Sequence, residues 1–149
     1  MDNQKVETIL DRGLVVLQDD ITKNLYKNQR VASGKTAKSL KVVTKITGNK
    51  IIGTLFGSSV LENLEYGRGK TVNASGNATW KGELLSWMRI RGIPEGAFYP
   101  IWRKINRDGY KGTKGLISDP RTKFKNNFAK QLKSIIVKDF KNNGINSSN

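Results

Sequence analysis

The chain has 149 residues, and its 27 Lys and Arg side chains outnumber 12 Asp and Glu side chains, for a formal net charge of +15. A chain of this length buries roughly 68–70% of its unfolded surface, so it needs neither a disulfide nor a metal ion to fold. It contains no cysteine and no histidine, which excludes disulfides, thiolate nucleophiles, Cys-based zinc sites and histidine bases. We therefore expect no metal site, no cofactor and no catalytic residues.

The N-terminal segment carries the first predicted element. Apolar residues recur in steps of three and four at Val6, Ile9, Leu10, Leu14, Leu17, Ile21 and Leu25. This spacing predicts one face of an amphipathic helix that ends before Ser33-Gly34. The first twenty residues hold five acids and no long apolar stretch, so we expect neither a signal peptide nor a membrane anchor. We expect synthesis in the cytoplasm and no membrane partner.

Two β-branched runs follow, from Leu40 to Ile46 and from Ile51 to Phe56, with Gly48-Asn49 between them. This pattern predicts an antiparallel β-hairpin. The segment "LENLEYGRGK" predicts a short helical turn that ends in glycine. Residues 70–81 are polar, small and glycine-bearing, so we expect a mobile loop there.

Helical spacing returns in the second half of the chain. A short helix is predicted within "GELLSWMRIRGI", and a second one from Ala97 to about Arg107. Glycines at 109, 112 and 115 predict tight turns with exposed lysines. The last amphipathic helix is predicted from about Arg121 to Phe140. Together these elements predict a single α+β domain over residues 1–143, with a disordered tail at 144–149.

Two triplets, Gly34-Lys35-Thr36 and Gly69-Lys70-Thr71, raise the question of a nucleotide-binding loop. Such a loop needs another glycine five positions before the glycine of the triplet, where this chain has Gln29 and Leu64. Both triplets therefore fail the motif.

Carboxylates suggest a metal-dependent nuclease only weakly. Glu62, Glu65, Lys70 and Asp108 are the residues such a site would use, but nothing in their spacing brings them together. We expect solvated or salt-bridged acids, and no enzymatic activity.

Aromatic and basic residues alternate between residues 80 and 111. This pattern is typical of surfaces that stack nucleic-acid bases. Trp87 and Trp102, however, have the helical spacing of core residues, whereas Trp80 and Tyr110 border loops and are better candidates for contact with a partner. Residues 66–115 hold ten cationic and three acidic side chains, a pattern typical either of a chain with a polyanionic or acidic neighbour or of a lysine-rich, solvated surface.

Three stretches resemble one protein family. They are "SGKTAKSLKV" (33–42), "LENLEYGRGK" (61–70), which resembles a Glu-Tyr-Gly-Thr-Gly element, and "IWRKINRDGYKGTKG" (101–115). In this order they are similar to the tail-completion, or head–tail joining (neck), proteins of tailed double-stranded DNA phages, including phages of Bacteroides-like hosts. Arg68 stands where that family has Thr, and the usual Pro-Phe-Leu before the last helix is replaced by residues 116–120.

The resemblance implies a non-enzymatic structural virion protein that forms an oligomeric ring in the neck. Its implied partners are further copies of itself, portal or connector proteins, tail proteins and double-stranded DNA in the channel. The alternative is a basic, sequence-nonspecific nucleic-acid-binding protein. The candidates to face DNA or an acidic partner are Arg68, Lys70, Arg103, Lys104, Arg107, Lys111 and Lys114. The candidates for inter-subunit contact are Glu65, Tyr66, Trp80 and Tyr110.

Overall fold

The computed structural model describes residues 3–31, 34–70 and 78–145. The helices are α1 (Asn3–Lys27), α2 (Lys35–Lys38), α3 (Val60–Tyr66), α4 (Ala78–Ile90), α5 (Phe98–Asp108) and α6 (Ser118–Ile145), and a 3-10 turn spans Glu95–Ala97. The strands are β1 (Lys41–Thr47), β2 (Lys50–Phe56), β3 (Gly67–Arg68) and β4 (Tyr110–Lys111). The predicted α+β class is confirmed, as are the long N-terminal helix, the hairpin and the long C-terminal helix.

Helix α1 supplies the centre of the main hydrophobic core. Its buried residues all lie on one face, at the predicted steps of three and four: Val6, Leu10, Leu14, Leu17, Ile21 and Leu25. Each fully buried leucine or isoleucine contributes about 1.5–3 kcal/mol to folding. This face therefore fixes the position of α1 under the hairpin, α3 and the start of α6.

The hairpin pairs β1 with β2 in antiparallel register, with Thr47 opposite Lys50 across the turn. Gly48 has a φ of 58°, the positive value that tight hairpin turns require. Alternate residues of the two strands face α1, and Leu10 and Leu14 lie directly beneath Gly53. The hairpin thus packs one face on α1.

Helix α6 runs antiparallel to α1. Its first turn lies near the C-terminal end of α1, where Asn24 donates a hydrogen bond to the carbonyl oxygen of Leu116, at 3.2 Å. Further along, Lys123 pairs with Asp20 at 2.8 Å, and Phe124 and Phe128 pack on the main core. The contact between the two helices therefore closes one side of the main core.

The segment between β3 and β4 forms a second hydrophobic cluster. Leu84, Met88 and Phe98 are buried there, and Trp87 and Trp102 pack against them, in agreement with the core position that their spacing predicts. Because β3 pairs antiparallel with β4, both ends of this excursion leave the main core at the same point. Helices α4 and α5, the α4–α5 excursion, thus form a pair that is connected to the rest of the fold through the two-stranded ribbon of β3 and β4.

Two predicted boundaries need correction. Of the loop predicted at 70–81, residues 71–77 lie outside the described residues, but the chain is already helical from Ala78. Likewise, α6 continues to Ile145, two residues into the tail predicted at 144–149, and residues 146–149 lie outside the described part. The turn predicted around Gly109 and Gly112 contains β4, whose two residues are too few to show the alternation of apolar and polar side chains that predicts a strand.

Candidate functional site

Several of the sequence candidates lie in or beside the two-stranded ribbon of β3 and β4, which joins the two hydrophobic clusters. In this ribbon Gly67 lies opposite Lys111 and Arg68 lies opposite Tyr110. Two residues after Lys111, the backbone N–H of Thr113 donates a hydrogen bond to the carbonyl oxygen of Leu64, at 2.8 Å. Three backbone pairings therefore join the end of α3 and β3 to residues 110–113.

Glu65 is the one buried charged residue among the described residues, with 3% of its surface exposed. The backbone N–H of Ile117 donates to one carboxylate oxygen at 2.7 Å, and the N–H of Ser118 donates to the same oxygen at 3.1 Å. The first N–H groups of a helix have no partner inside it, and the partial positive charge there favours an anion. Glu65 thus caps the N-terminus of α6.

This position corrects the prediction of an inter-subunit contact through Glu65. A contact with a neighbouring subunit requires an exposed side chain, whereas the Glu65 carboxylate is enclosed and bonded within its own chain. Tyr66, the next residue, is 79% exposed and stays a candidate for such a contact. Trp80 lies in the first turn of α4, but its side chain lies outside the described part of the chain.

Close backbone packing makes glycine necessary on either side of β4, at Gly109 and Gly112. A Cβ atom on Gly109, which has a φ of 72°, would overlap the carbonyl oxygen of Arg68. A Cβ atom on Gly112 would overlap the carbonyl oxygen of Glu65 and the backbone nitrogen of Gly67. Any side chain at these two positions would therefore push the ribbon apart.

Arg30, which the sequence analysis did not single out, ties the end of α1 to this region. Its Nε donates to the hydroxyl oxygen of Thr113 at 2.8 Å, and a terminal nitrogen donates to the carbonyl oxygen of Lys111 at 3.4 Å. The residues are more than 80 positions apart, so no local pattern could have revealed the contact. Arg30 adds a positive charge beside Arg68 and Tyr110.

Tyr110 is half-buried beside these charges. Burial raises the pKa of its hydroxyl group above the ordinary value, and the positive charges of Arg68 and Arg30 partly oppose that rise. The phenol is therefore held neutral to a higher pH than a phenol in water.

The predicted cations do not form one cluster. Arg103, Lys104 and Arg107 are exposed on α5, while Lys111 and Lys114 are exposed in and after the ribbon. Arg107 pairs with its neighbour Asp108 through two bonds of 2.7 and 2.8 Å. Hydrogen bonding within this pair raises the pKa of Arg107 and lowers that of Asp108. Lys70 is also exposed, and Arg68 is half-buried in the ribbon.

The three acidic residues that a nuclease would use lie in different surroundings. Glu65 caps α6, Glu62 is exposed on α3, and Asp108 is engaged by Arg107. Among residues 3–31, 34–70 and 78–145, no group of three or more acidic side chains could hold a metal ion.

Comparisons with known proteins give no relative for this chain. No protein-family model matches it, and no curated protein or solved structure shows a significant match. The resemblance to phage neck proteins therefore stays a prediction. Within the described residues, no helix is long and apolar enough to cross a membrane.

Proposed function

We propose that this chain is a non-enzymatic structural virion protein that forms an oligomeric ring in the head–tail connector of a tailed phage, around the DNA passage. Its neighbours in the virion would be the portal or connector proteins on one side and tail proteins on the other. The proposal joins the resemblance carried by the three sequence stretches to the surfaces described below.

The observation that carries the proposal is the exposed apolar end of α6. The helix packs on α1 as far as Leu132, which lines a groove with Val6 and Leu10. The thirteen residues after Leu132 extend about 20 Å further, at 1.5 Å per residue. There Val137 is 43% exposed and Phe140 is 74% exposed.

An apolar helix end of this kind is typical of a protein that binds a partner. Ile136, Val137 and Phe140 follow one another within little more than one turn, so they form a contiguous apolar surface rather than scattered residues. Burying such side chains stabilises an assembly by roughly 1.5–3 kcal/mol each. A structural subunit with neighbours on several sides needs surfaces of this type.

The positive charge of the chain fits a position around DNA. Arg103 and Lys104 lie exposed on α5, a helix whose apolar residues belong to the second hydrophobic cluster. Exposed cations attract the phosphate backbone without regard to sequence, which suits a channel through which any DNA sequence passes.

The test is the copy number of this chain in purified particles of a phage that encodes it, measured by quantitative mass spectrometry against the portal protein. We expect between half and all of the portal's copy number. Absence from particles, with the chain abundant in the infected lysate, would overturn the proposal.

The alternative function, a free nucleic-acid-binding protein, draws on the same exposed cations of α5 and the ribbon. It differs in the dependence on salt. Binding to DNA as a main task neutralises several phosphates, so affinity falls steeply as salt rises. A chain that is absent from particles and binds duplex DNA with a steep salt dependence would be assigned this function instead.

A further inference from the structure

The β1–β2 hairpin has two long edges that no other strand covers. Both strands have seven residues, and among the described residues neither pairs with a third strand. In an antiparallel pair, every second residue directs its N–H and C=O away from the partner strand, which leaves about three such residues on each edge. Among the described residues, no backbone group outside the hairpin forms a hydrogen bond with the backbone of either strand.

The face of the hairpin that points away from α1 carries three exposed apolar side chains among its lysines and threonines. Val43 is 36% exposed, Ile52 is 50% exposed and Phe56 is 55% exposed. A two-stranded hairpin is marginally stable by itself and gains from further strands or from cover on its faces. This hairpin has cover on the α1 side only.

The edge of β2 lacks the usual protection against pairing. Exposed edges are commonly blocked by lysine, proline or a bulge. The one charged residue of β2 is Lys50, at its first position beside the turn, and the six residues that follow contain no charge and no proline, whereas β1 carries Lys41 and, in its middle, Lys45. The two edges of the hairpin therefore differ in character.

Open space lies beside β2. A groove of about 500 Å³ runs between this strand, the first turns of α1 and the middle of α6. Ile51, Ile52 and Gly53 form one wall, and Phe128 and Leu132 form the other. No residue of β1 lines it, so the groove is on the β2 side of the hairpin.

We propose that the occupant is β1 of a second copy of this chain, which adds to the free edge of β2 and continues the sheet from one copy to the next. The inference rests on the proposed ring and specifies how its copies join. Because the two edges differ, this contact is head-to-tail, and head-to-tail contacts form closed rings when the rotation between copies permits it.

The hairpin itself shows that the two strands are compatible neighbours. Within one copy Lys41 lies opposite Phe56, Val43 opposite Thr54 and Lys45 opposite Ile52, so no like charges face each other across the ladder. A β1 strand from a second copy brings the same side chains to the other edge of β2. Its lysine stems cover exposed apolar surface there while their ammonium groups stay in water.

Cysteine cross-linking tests this arrangement, since the chain has no cysteine of its own. One preparation carries Val43→Cys on β1, and a second, separately tagged preparation carries Ile52→Cys on β2. Both side chains are exposed, so both variants are expected to fold. The two preparations are mixed under conditions that permit subunit exchange and then oxidised, with Asn126→Cys, exposed on α6, replacing either variant as the control.

We expect a disulfide between the two tags at about tenfold or more above the control mixture, because groups held in one assembly meet at a far higher effective concentration than free molecules. Products that join only two Ile52→Cys copies would indicate a symmetric β2–β2 dimer and overturn the proposal. No cross-link above control would overturn it as well. Light scattering of the unmodified chain distinguishes the failure of this contact from the failure of the ring. A closed oligomer in light scattering, with no cross-link above control, would overturn the β1–β2 contact between copies and leave the proposed ring in place.

Discussion

The carboxylate of Glu65 accepts hydrogen bonds from the backbone of Ile117, at 2.7 Å, and of Ser118, and so joins the end of α3 to the beginning of α6 across more than 50 residues. The same short segment is bonded to the returning strand of the ribbon, because Thr113 donates to Leu64. One buried side chain thus joins the end of α3 to the start of the last helix, next to a backbone hydrogen bond that holds the end of the α4–α5 segment.

Replacing Glu65 by alanine should strongly destabilise the fold. The substitution leaves the first N–H groups of α6 without their buried acceptor, and a lost hydrogen bond to a charged group costs about 1.5–3 kcal/mol. We expect a loss of this size in the free energy of unfolding, measured by urea denaturation. Glu62→Ala removes an exposed carboxylate from the same helix and should change stability by no more than about 0.5 kcal/mol. Equal losses from the two variants would contradict the capping role.

Gly112→Ala should also destabilise the fold, for a different reason. The added methyl group would overlap the carbonyl oxygen of Glu65, which belongs to the backbone and has no rotamer by which to move away. We expect a loss of about 1–3 kcal/mol, the usual range for forced overpacking. Gly69→Ala is the matched control, because nothing lies within 4 Å of a Cβ at that position. A thermal midpoint of Gly112→Ala equal to that of Gly69→Ala would refute the close packing of the ribbon.

The sequence predicts the helices of this fold well and the joint between them poorly, and the reason is physical. The spacing of apolar residues from Val6 to Leu25 predicts the buried face of α1, and the residues on either side of Gly48 predict the hairpin. The start of α6 at Ser118, three residues before the predicted Arg121, depends on Glu65 far away in the chain. A two-residue strand such as β3 is too short for alternation to reveal it.

The same limit applies to the candidate site. The residue types of Arg103 and Lys104 give their charge, and the helical spacing of α5 predicts their exposure. The burial of Glu65 and the contact of Arg30 with Thr113 do not, because both depend on partners brought together by the fold.

Alkaline pH should destabilise the fold partly through Tyr110. Because the pKa of this phenol is raised in the folded state, the unfolded chain loses the proton first, and stability falls as pH rises above about 10, the ordinary pKa of tyrosine. The Tyr110→Phe variant should therefore lose less unfolding free energy between pH 9 and pH 11 than the unmodified chain. Tyr66→Phe, at an exposed position, serves as the control and should lose as much as the unmodified chain. If Tyr110→Phe showed the full loss, its phenol would not be the group responsible.

Neutralising the exposed face of α5 should weaken attraction to DNA. We expect the double variant Arg103→Gln/Lys104→Gln to bind duplex DNA less tightly at every sequence tested, and to reduce the slope of log affinity against log salt by about 2. Fluorescence anisotropy at several salt concentrations measures both quantities. The double variant Lys23→Gln/Lys27→Gln removes the same charge from α1 and should leave the slope closer to its original value. A slope unchanged by the α5 variant would place the DNA contact elsewhere.

Phe140 offers the most direct test of the exposed end of α6. Because the side chain is 74% exposed, Phe140→Ser removes little buried surface within one copy, and the free energy of unfolding should change by no more than about 0.5 kcal/mol. Association with further copies or with a virion partner should weaken by about tenfold or more, since the lost burial is worth roughly 1.5–3 kcal/mol. Analytical ultracentrifugation and incorporation into particles measure that change. Val15→Ser, on an exposed position of α1, is the control for general loss of surface apolarity. If Val15→Ser weakened association and Phe140→Ser did not, the binding surface would lie on α1 instead of α6.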